Sequence, residues 1–376
     1  MADSAKPLAG IRVVELARVL AGPWCGQLLA DLGAEVIKVE RPGVGDDTRS
    51  WGPPFIMGEG GENLGAAYYH STNRGKSGLA IDIATAAGQA AVRDLITGAD
   101  VVIENYKVGG LAKYGLDPAT LIAVYPRLIV CSITGFGQTG PYAHRAGYDF
   151  IIQAMGGAMA LTGEPDGAPQ KAGIAYADIF TGMYSAVAIL AALRRRDATG
   201  AGAHIDMALL DCQVGVLANQ AANYLASGAV PRRMGNGHAN VVPYQAFATA
   251  DGQLVIAVGN DGQFRKLCAI LGEPGWADDA RFATNAARLA NRSALIPLLA
   301  AKIAGWDAQP LALALEEQGV PAGPINDMAA VFADPQVIAR GMRFRPEGAF
   351  VDGLASPIVI DGERMVAAGG APGLDA

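Results

Sequence analysis

Among the titratable residues of the chain, Asp178 stands out because of the helix behind it. The run Met183 to Leu193 (MYSAVAILAAL) is apolar on most faces and closes with Arg194, Arg195 and Arg196. That pattern reads as a buried helix ending in cations that suit its dipole. Asp178 then falls at or just before the helix N-terminus, where free backbone N–H groups favour an ionised carboxylate, or an oxyanion forming beside it. The placement suits a nucleophile better than a proton donor, and it is equally the placement of a helix N-cap. Three further loops carry residues that could hold an anionic ligand: Asn73-Arg74-Gly75-Lys76, Glu104-Asn105-Tyr106, and Ser132 to Gly137 (SITGFG). For Arg74 and Lys76 the alternative to a phosphate contact is ordinary surface charge. For Tyr106 and Tyr114 it is simple packing.

Other chemistries find less support. The four histidines (His70, His144, His204, His238) and four cysteines (Cys25, Cys131, Cys212, Cys268) are scattered, without metal-ligand spacing or a CxxC pair. Neither a metal site nor a disulfide framework is implied. A net charge of -7, with no Lys/Arg cluster beyond the helix-ending triplet, leaves no electrostatic footprint for nucleic acid. Apolar runs such as Ala186 to Leu193 are shorter than the roughly 20 residues that span a bilayer, and the opening MADSAKPLAG has no hydrophobic signal core. No membrane partner and a cytoplasmic location are expected.

The elements that must position these residues emerge from the pattern. With 376 residues, 51% of them hydrophobic, the chain can bury a large core and form two domains. Strands are expected at Ile11–Leu16, Glu35–Val39, Leu79–Ile83, Val101–Glu104, Leu128–Ile133 and His204–Ala208. Helices are expected at Pro23–Leu32, Ala86–Ile96, Pro118–Tyr125 and Leu209–Ser227. This alternation means an α/β, Rossmann-like domain with a mostly parallel sheet, and ligands belong at the C-terminal ends of its strands. The first strand–turn–helix invites a dinucleotide, with Glu40 placed for a ribose. The turn Ala17-Arg18-Val19-Leu20-Ala21-Gly22-Pro23 lacks G-x-G-x-x-G, and NAD and FAD are rejected on that ground. Beyond Pro231, a hairpin through Asp251-Gly252 leads to a loop, Gly259 to Phe264, with Asp261 as the expected cap of the next helix. The expected division is a large domain over 1–228, a smaller α+β domain over 229–325, a return segment over 326–376, and a loose tail from Ala367.

Several segments, in order, carry a resemblance: VVELARVLAGPWCGQLLADLGAEVIKVERPGVGD near the start, Gly147-Tyr148-Asp149, Gln153 to Gly157, Thr162-Gly163, and Ala177-Asp178-x-x-Thr181-Gly182. Over residues 8 to 365 the sequence resembles family III CoA-transferases, the CaiB/BaiF group. The resemblance implies a coenzyme A thioester as substrate, no permanently bound cofactor, and an interlocked-ring homodimer. It assigns Asp178 as the nucleophile that attacks the acyl-CoA. It assigns Val19, Ala21, Arg41, Asn73, Arg74, Lys76, Asn105, Tyr106, Gly110, Lys113, Tyr114 and Phe136 to CoA binding. It assigns Trp51, Tyr148 and the loop residues Gly259, Gly262 and Gln263 to the acyl group or a lid over it. The C-terminal half resembles the branch that moves CoA between succinyl-CoA and other dicarboxylates. Arg18, Arg49 and Arg233 are candidates for a distal carboxylate.

The same fold hosts 2-methylacyl-CoA racemases, whose histidine stands mid-triplet where this chain has Tyr148. Tyrosine, ordinarily titrating near about 10, is a poor base, and His144 lies out of register. Transfer by an aspartyl nucleophile through mixed anhydrides and an aspartyl-CoA thioester is therefore expected. A non-catalytic CoA-ester binder is the remaining alternative.

Overall fold

The computed structural model describes residues 6–374. The chain divides into two compact units. Unit 1 takes the chain up to Ala158, Lys171–Ala218 and the chain from Pro335, and unit 2 takes Met159–Gln170 and Asn219–Asp334. The chain thus leaves unit 1 near 218 and returns near 335, where the sequence suggested 228 and 326, and unit 2 also takes the short stretch 159–170.

Unit 1 is built on a six-stranded parallel sheet of β1 (Arg12–Glu15), β2 (Glu35–Glu40), β3 (Lys76–Ala80), β4 (Val101–Glu104), β5 (Ile129–Thr134) and β6 (Ala203–Ala208). Their order is β3-β2-β1-β4-β5-β6, with β1 paired to both β2 and β4. Both faces of the central strands are covered, so neighbours in sequence enter different cores: Val13, Val101 and Ile129 in one, Val14, Val102 and Val130 in the other. This is why they read as unbroken apolar runs. The first core is shared with α1 (Ala21–Asp31) and α5 (Tyr176–Thr199), the second with α2 (Ala86–Thr97) and α3 (Pro118–Val124). Strand order reverses between β1 and β4, and there the flanking connections part and open a crevice beyond the strand C-termini.

α5, by length and composition alone, could cross a membrane. In the structure Ala177, Thr181, Ser185, Ile189, Ala192 and Leu193 form a buried stripe at helical spacing, which makes it the central helix of unit 1. Small residues let α1 approach it closely. A Cβ on Gly182 would stand 2.6 Å from the Ala21 carbonyl oxygen and 3.0 Å from Trp24, so only glycine admits this contact.

Three local expectations are corrected. β3 starts at Lys76, not Leu79, because its partner is β2, with Val36 opposite Lys76 and Glu40 opposite Ala80. The helix expected over Leu209–Ser227 is two pieces, α6 (Leu209–Gly215) and Ala218–Ser227, with Ala218 at φ 45° between them. The expected loose tail is held as far as Pro372: Gly75 donates to the carbonyls of Gly369 and Gly370, Arg49 donates to the Pro372 carbonyl, and Ala367 is buried.

Unit 2 carries an antiparallel sheet, β9-β8-β7, from β7 (Tyr244–Ala248), β8 (Gln253–Ala257) and β9 (Ala322–Pro324). Its core joins Phe247, Leu254 and Ile256 to Phe264 and Leu267 of α7 (Asp261–Ile270), Leu295 and Leu299 of α8 (Arg292–Ile303), and Leu311 and Leu315 of α9 (Ala308–Glu317). Asn260, not Asp261, caps α7, accepting from the Gln263 N–H. Asp261 instead pairs at 2.8 Å with the buried Arg288.

Candidate active site

Asp178 is the third residue of α5, inside its first turn, and is not the cap. The N-cap position is Ala175, which offers no side-chain acceptor, and the Ala177 N–H is taken at 2.9 Å by Asp149. Asp149 comes from α4 (Asp149–Met155), where Gln153 also donates to it at 2.7 Å. With helix capping done by another residue, the Asp178 carboxylate is left to face a cavity of about 470 Å³ at the crevice between β1 and β4. Half-buried, it is pushed up to about 7, first by burial and second by the Asp149 charge. Loss of water and a like charge thus work against the ionised form expected from a helix N-terminus and leave both forms populated near neutral pH.

The cavity gathers many of the residues singled out in the sequence. Val19 and Ala21 enter it from the turn after β1, and Asn105, Tyr106, Gly110, Lys113 and Tyr114 from the connection after β4. Tyr148 and Asp178 both line it. Lys113 stacks on Tyr114, its ammonium 4.7 Å from the ring centre. A second cavity of about 310 Å³ adjoins the first, sharing Arg18, Tyr106 and Tyr114, and takes in Arg41 from the end of β2. Arg18, one of the distal-carboxylate candidates, lines both and pairs with Asp47 at 2.8 Å.

Other assigned residues lie outside the lining of both cavities. Asn73, Arg74 and Lys76 lie in the interior with their polar groups engaged. Lys76 reaches Glu15, Asn73 and the Pro23 carbonyl, and Arg74 reaches Asp31 and the Leu354 carbonyl. Burial pulls Lys76 down to about 8, against the pull of Glu15. Buried and paired in this way, the three are not free to meet a phosphate. Arg49 is likewise enclosed by Glu40, Tyr69 and the Pro372 carbonyl, and the Glu40 carboxylate, though Glu40 borders the second cavity, is engaged by this cluster. Phe136 packs on the core and stands edge-on to Tyr142, outside the residues lining either cavity. Arg233 belongs to unit 2, where it donates to the carbonyls of Glu164 and Gly167. Gly259, Gly262 and Gln263 also belong to unit 2, where the Gln263 side chain bridges the Gly259 N–H and the Gly319 carbonyl. Trp51 packs edge-on against Tyr68 at 5.3 Å, and His144 is exposed and outside the cavity lining.

Sequence reasoning missed some residues here. Tyr68, pushed up to about 12 by burial and then by Asp178 and Asp149, sits within electrostatic reach of both carboxylates. Lys107 and Arg145 add two cations to the cavity wall, and Arg145 stacks 3.9 Å over Tyr142. No motif marks the first of two adjacent tyrosines in AAYYH or a single arginine in a loop. Their meaning comes only from the walls they share.

A Rossmann-like sheet with a half-buried carboxylate at its switch point, in a cavity also lined by Arg18, Lys107, Lys113 and Arg145, is an anion-attracting ligand site on an α/β fold. The chain belongs to CoA-transferase family III, whose family model matches residues 8–376. It is an enzyme, a CoA-transferase. It is 58% identical to a succinate–glutarate CoA-transferase of Agrobacterium fabrum over 96% of this chain and 91% of that protein. It is 43% identical to the human succinyl-CoA:glutarate CoA-transferase over 94% of this chain and 80% of that protein. A solved CaiB/BaiF family protein from Brucella suis superposes with a TM-score of 0.88, at 59% identity, covering 98% of this chain and 97% of the other.

Proposed function

We propose that this enzyme moves CoA from succinyl-CoA to glutarate or a close dicarboxylate, with Asp178 as nucleophile. The observation that carries the reading is that Asp178 is relieved of capping duty by Asp149 and faces the cavity wall. The names of the two relatives support the acid pair. An ionised Asp178 oxygen attacks the donor thioester carbonyl; the C–S bond breaks, leaving a mixed anhydride and CoA thiolate. The thiolate attacks the aspartyl carbonyl, the anhydride C–O bond breaks, and succinate leaves. The acceptor carboxylate then attacks the aspartyl-CoA thioester, and the thiolate returns to the acceptor acyl carbonyl, freeing Asp178. No proton is gained or lost, so no histidine is required. The two adjoining cavities suit a long ligand, with the nucleotide near Arg41 and the thioester near Asp178. Holding the nucleotide keeps the thiolate local between steps.

A homodimer is part of the reading. It is supported by apolar side chains left exposed on α4 and α5, among them Phe150 at 56% and Val187 at 62%. The test is incubation in D₂O with succinyl-CoA and a panel of free acids, and separately with 2-methylacyl-CoA, with CoA esters read by mass spectrometry. Glutaryl-CoA formation that Asp178→Ala abolishes without unfolding is expected. Deuterium at the α-carbon without CoA exchange, or near-native transfer by the Asp178→Ala variant, would overturn the reading.

A further inference from the structure

The turn that carries β1 into α1 holds an unexpected conformation. Val19 has φ 72°, in the left-handed region, where a β-branched residue is a genuine outlier. In dinucleotide-binding folds the tight turn at this place is made by glycine, which takes positive φ freely. Here valine occupies it, so something else must supply what glycine would give.

Three side chains do so, on three consecutive residues. The Ala17 carbonyl accepts from Lys38 Nζ at 2.9 Å. The Arg18 peptide is bracketed by Asn105, whose Oδ1 accepts from the Arg18 N–H at 2.9 Å and whose Nδ2 donates to the Arg18 carbonyl at 2.6 Å. The Val19 N–H is shared by both carboxylate oxygens of Asp46, each at 3.2 Å. Asp46 is 1% exposed and is itself fixed. Lys38 Nζ lies 3.0 Å from Oδ2, the N–H and Oγ1 of Thr48 donate to Oδ1 at 3.0 and 2.8 Å, and its own N–H donates to Glu40 at 2.7 Å. The far side of the turn is equally defined. The Ala21 carbonyl packs on Gly182, one helical turn beyond Asp178, and Val19 to Ala21 form part of the cavity wall with Asp178. The clamp therefore spans from a buried ion pair to the lining of the cavity that also holds Asp178.

We propose that Asp46 is a positioning residue for transfer: anchored on Lys38 and Thr48, it holds Val19 left-handed and so fixes the part of the wall that Val19 to Ala21 contribute to the cavity of Asp178. The inference rests on the reading that this cavity takes the acyl-CoA. Asp46 lines neither cavity and acts through the Val19 backbone. Strain of this kind persists where surrounding structure over-determines it, and it clusters at sites that need a preset geometry.

The test is a double-mutant cycle of Val19→Gly and Asp46→Asn, read as KM for succinyl-CoA and kcat for glutarate. Asp46→Asn alone should cost about tenfold or more in kcat/KM, since misplacement of a binding wall by about an ångström can cost about a hundredfold. In the Val19→Gly background, where glycine needs no clamp, the same substitution should cost less than about threefold. A structural role confined to the ion pair would lower the melting temperature in both backgrounds and leave the kinetic loss equal in both; equal losses, or no loss, overturn the proposal. Should Asp46→Asn fail to fold, Thr48→Val removes one bond to Asp46 at nearly constant shape, and the same cycle with Val19→Gly decides by the same criterion. The Asp178→Ala experiment is separate, so an additive cycle with an inactive Asp178→Ala variant sinks this inference alone, and an active Asp178→Ala variant sinks the reading beneath it.

Discussion

The carboxylate of Asp178 ties stability and activity to pH in opposite directions. In the unfolded chain it titrates near about 3.9, and in the fold it is pushed up to about 7 by burial and then by Asp149. Between those values the folded state holds the proton that the unfolded chain has lost. Stability contributed by this group is complete below about pH 4 and falls as pH rises to about 7, after which it is flat. The shift of about three units corresponds to about 4 kcal/mol at full weight. Because Asp178 faces an open cavity that water can enter, about half of that, about 2 kcal/mol, is the expected penalty. Replacing Asp178 by asparagine removes the titration, so the variant should gain on the wild type by about 2 kcal/mol between about pH 4.5 and pH 8, as measured by urea unfolding. Transfer moves the other way, since only the ionised carboxylate attacks: kcat/KM should rise through a single ionisation near about pH 7. Asp149→Asn keeps an acceptor for the Ala177 N–H and removes the charge. Burial outranks Asp149 among the causes, so the midpoint should move down by less than half of the whole shift. A stability difference between Asp178→Asn and wild type that stays flat across this range, or a rate profile flat from about pH 5.5 to 8, would refute the reasoning.

Two further outcomes separate binding cations from structural ones and test the helix contact beside the nucleophile. Lys76→Met should cost about 3 kcal/mol of stability by leaving Glu15 short of a buried partner, with KM for succinyl-CoA little changed, whereas Lys113→Ala should raise that KM and weaken its salt dependence while leaving stability within about 0.5 kcal/mol; the reverse pattern in melting and kinetics would return Lys76 to the ligand. Gly182→Ala places a Cβ 2.6 Å from the Ala21 carbonyl and should cost about 2 kcal/mol together with a clear loss of transfer, checked by denaturant unfolding and steady-state rates.

The parallel sheet was legible because each central strand is buried on both faces and so reads as an apolar run between turns. Asp178 was legible because a long apolar helix begins just behind it, which places a carboxylate at a helix start. What stayed hidden depends on partners distant in sequence. Lys76 looks like a surface cation until Glu15, 61 residues away, is placed 2.8 Å from it. Arg49 looks like a free guanidinium until Glu40, Tyr69 and the Pro372 carbonyl close around it. The left-handed Val19 is hidden in the same way, since its tolerance comes from Asp46, 27 positions on, and nothing in the local sequence VLAGP announces it.

These hidden partners form one structure. The Pro372 carbonyl accepts from Arg49, Arg49 and Tyr69 meet Glu40, Glu40 takes the Asp46 N–H, and Asp46 takes the Val19 N–H. A chain of charge-assisted bonds thus runs from the last described residues, beneath β2, to the wall of the cavity. Within it Glu40 and Asp46 are both held below the usual carboxylate range despite burial, by Arg49 and Lys38 respectively with neighbouring donors. Such a network is costly to leave half-satisfied. Arg49, a candidate in sequence for a distal carboxylate, is therefore charged for a different reason: it closes this network on Glu40, whose carboxylate in turn takes the Asp46 N–H.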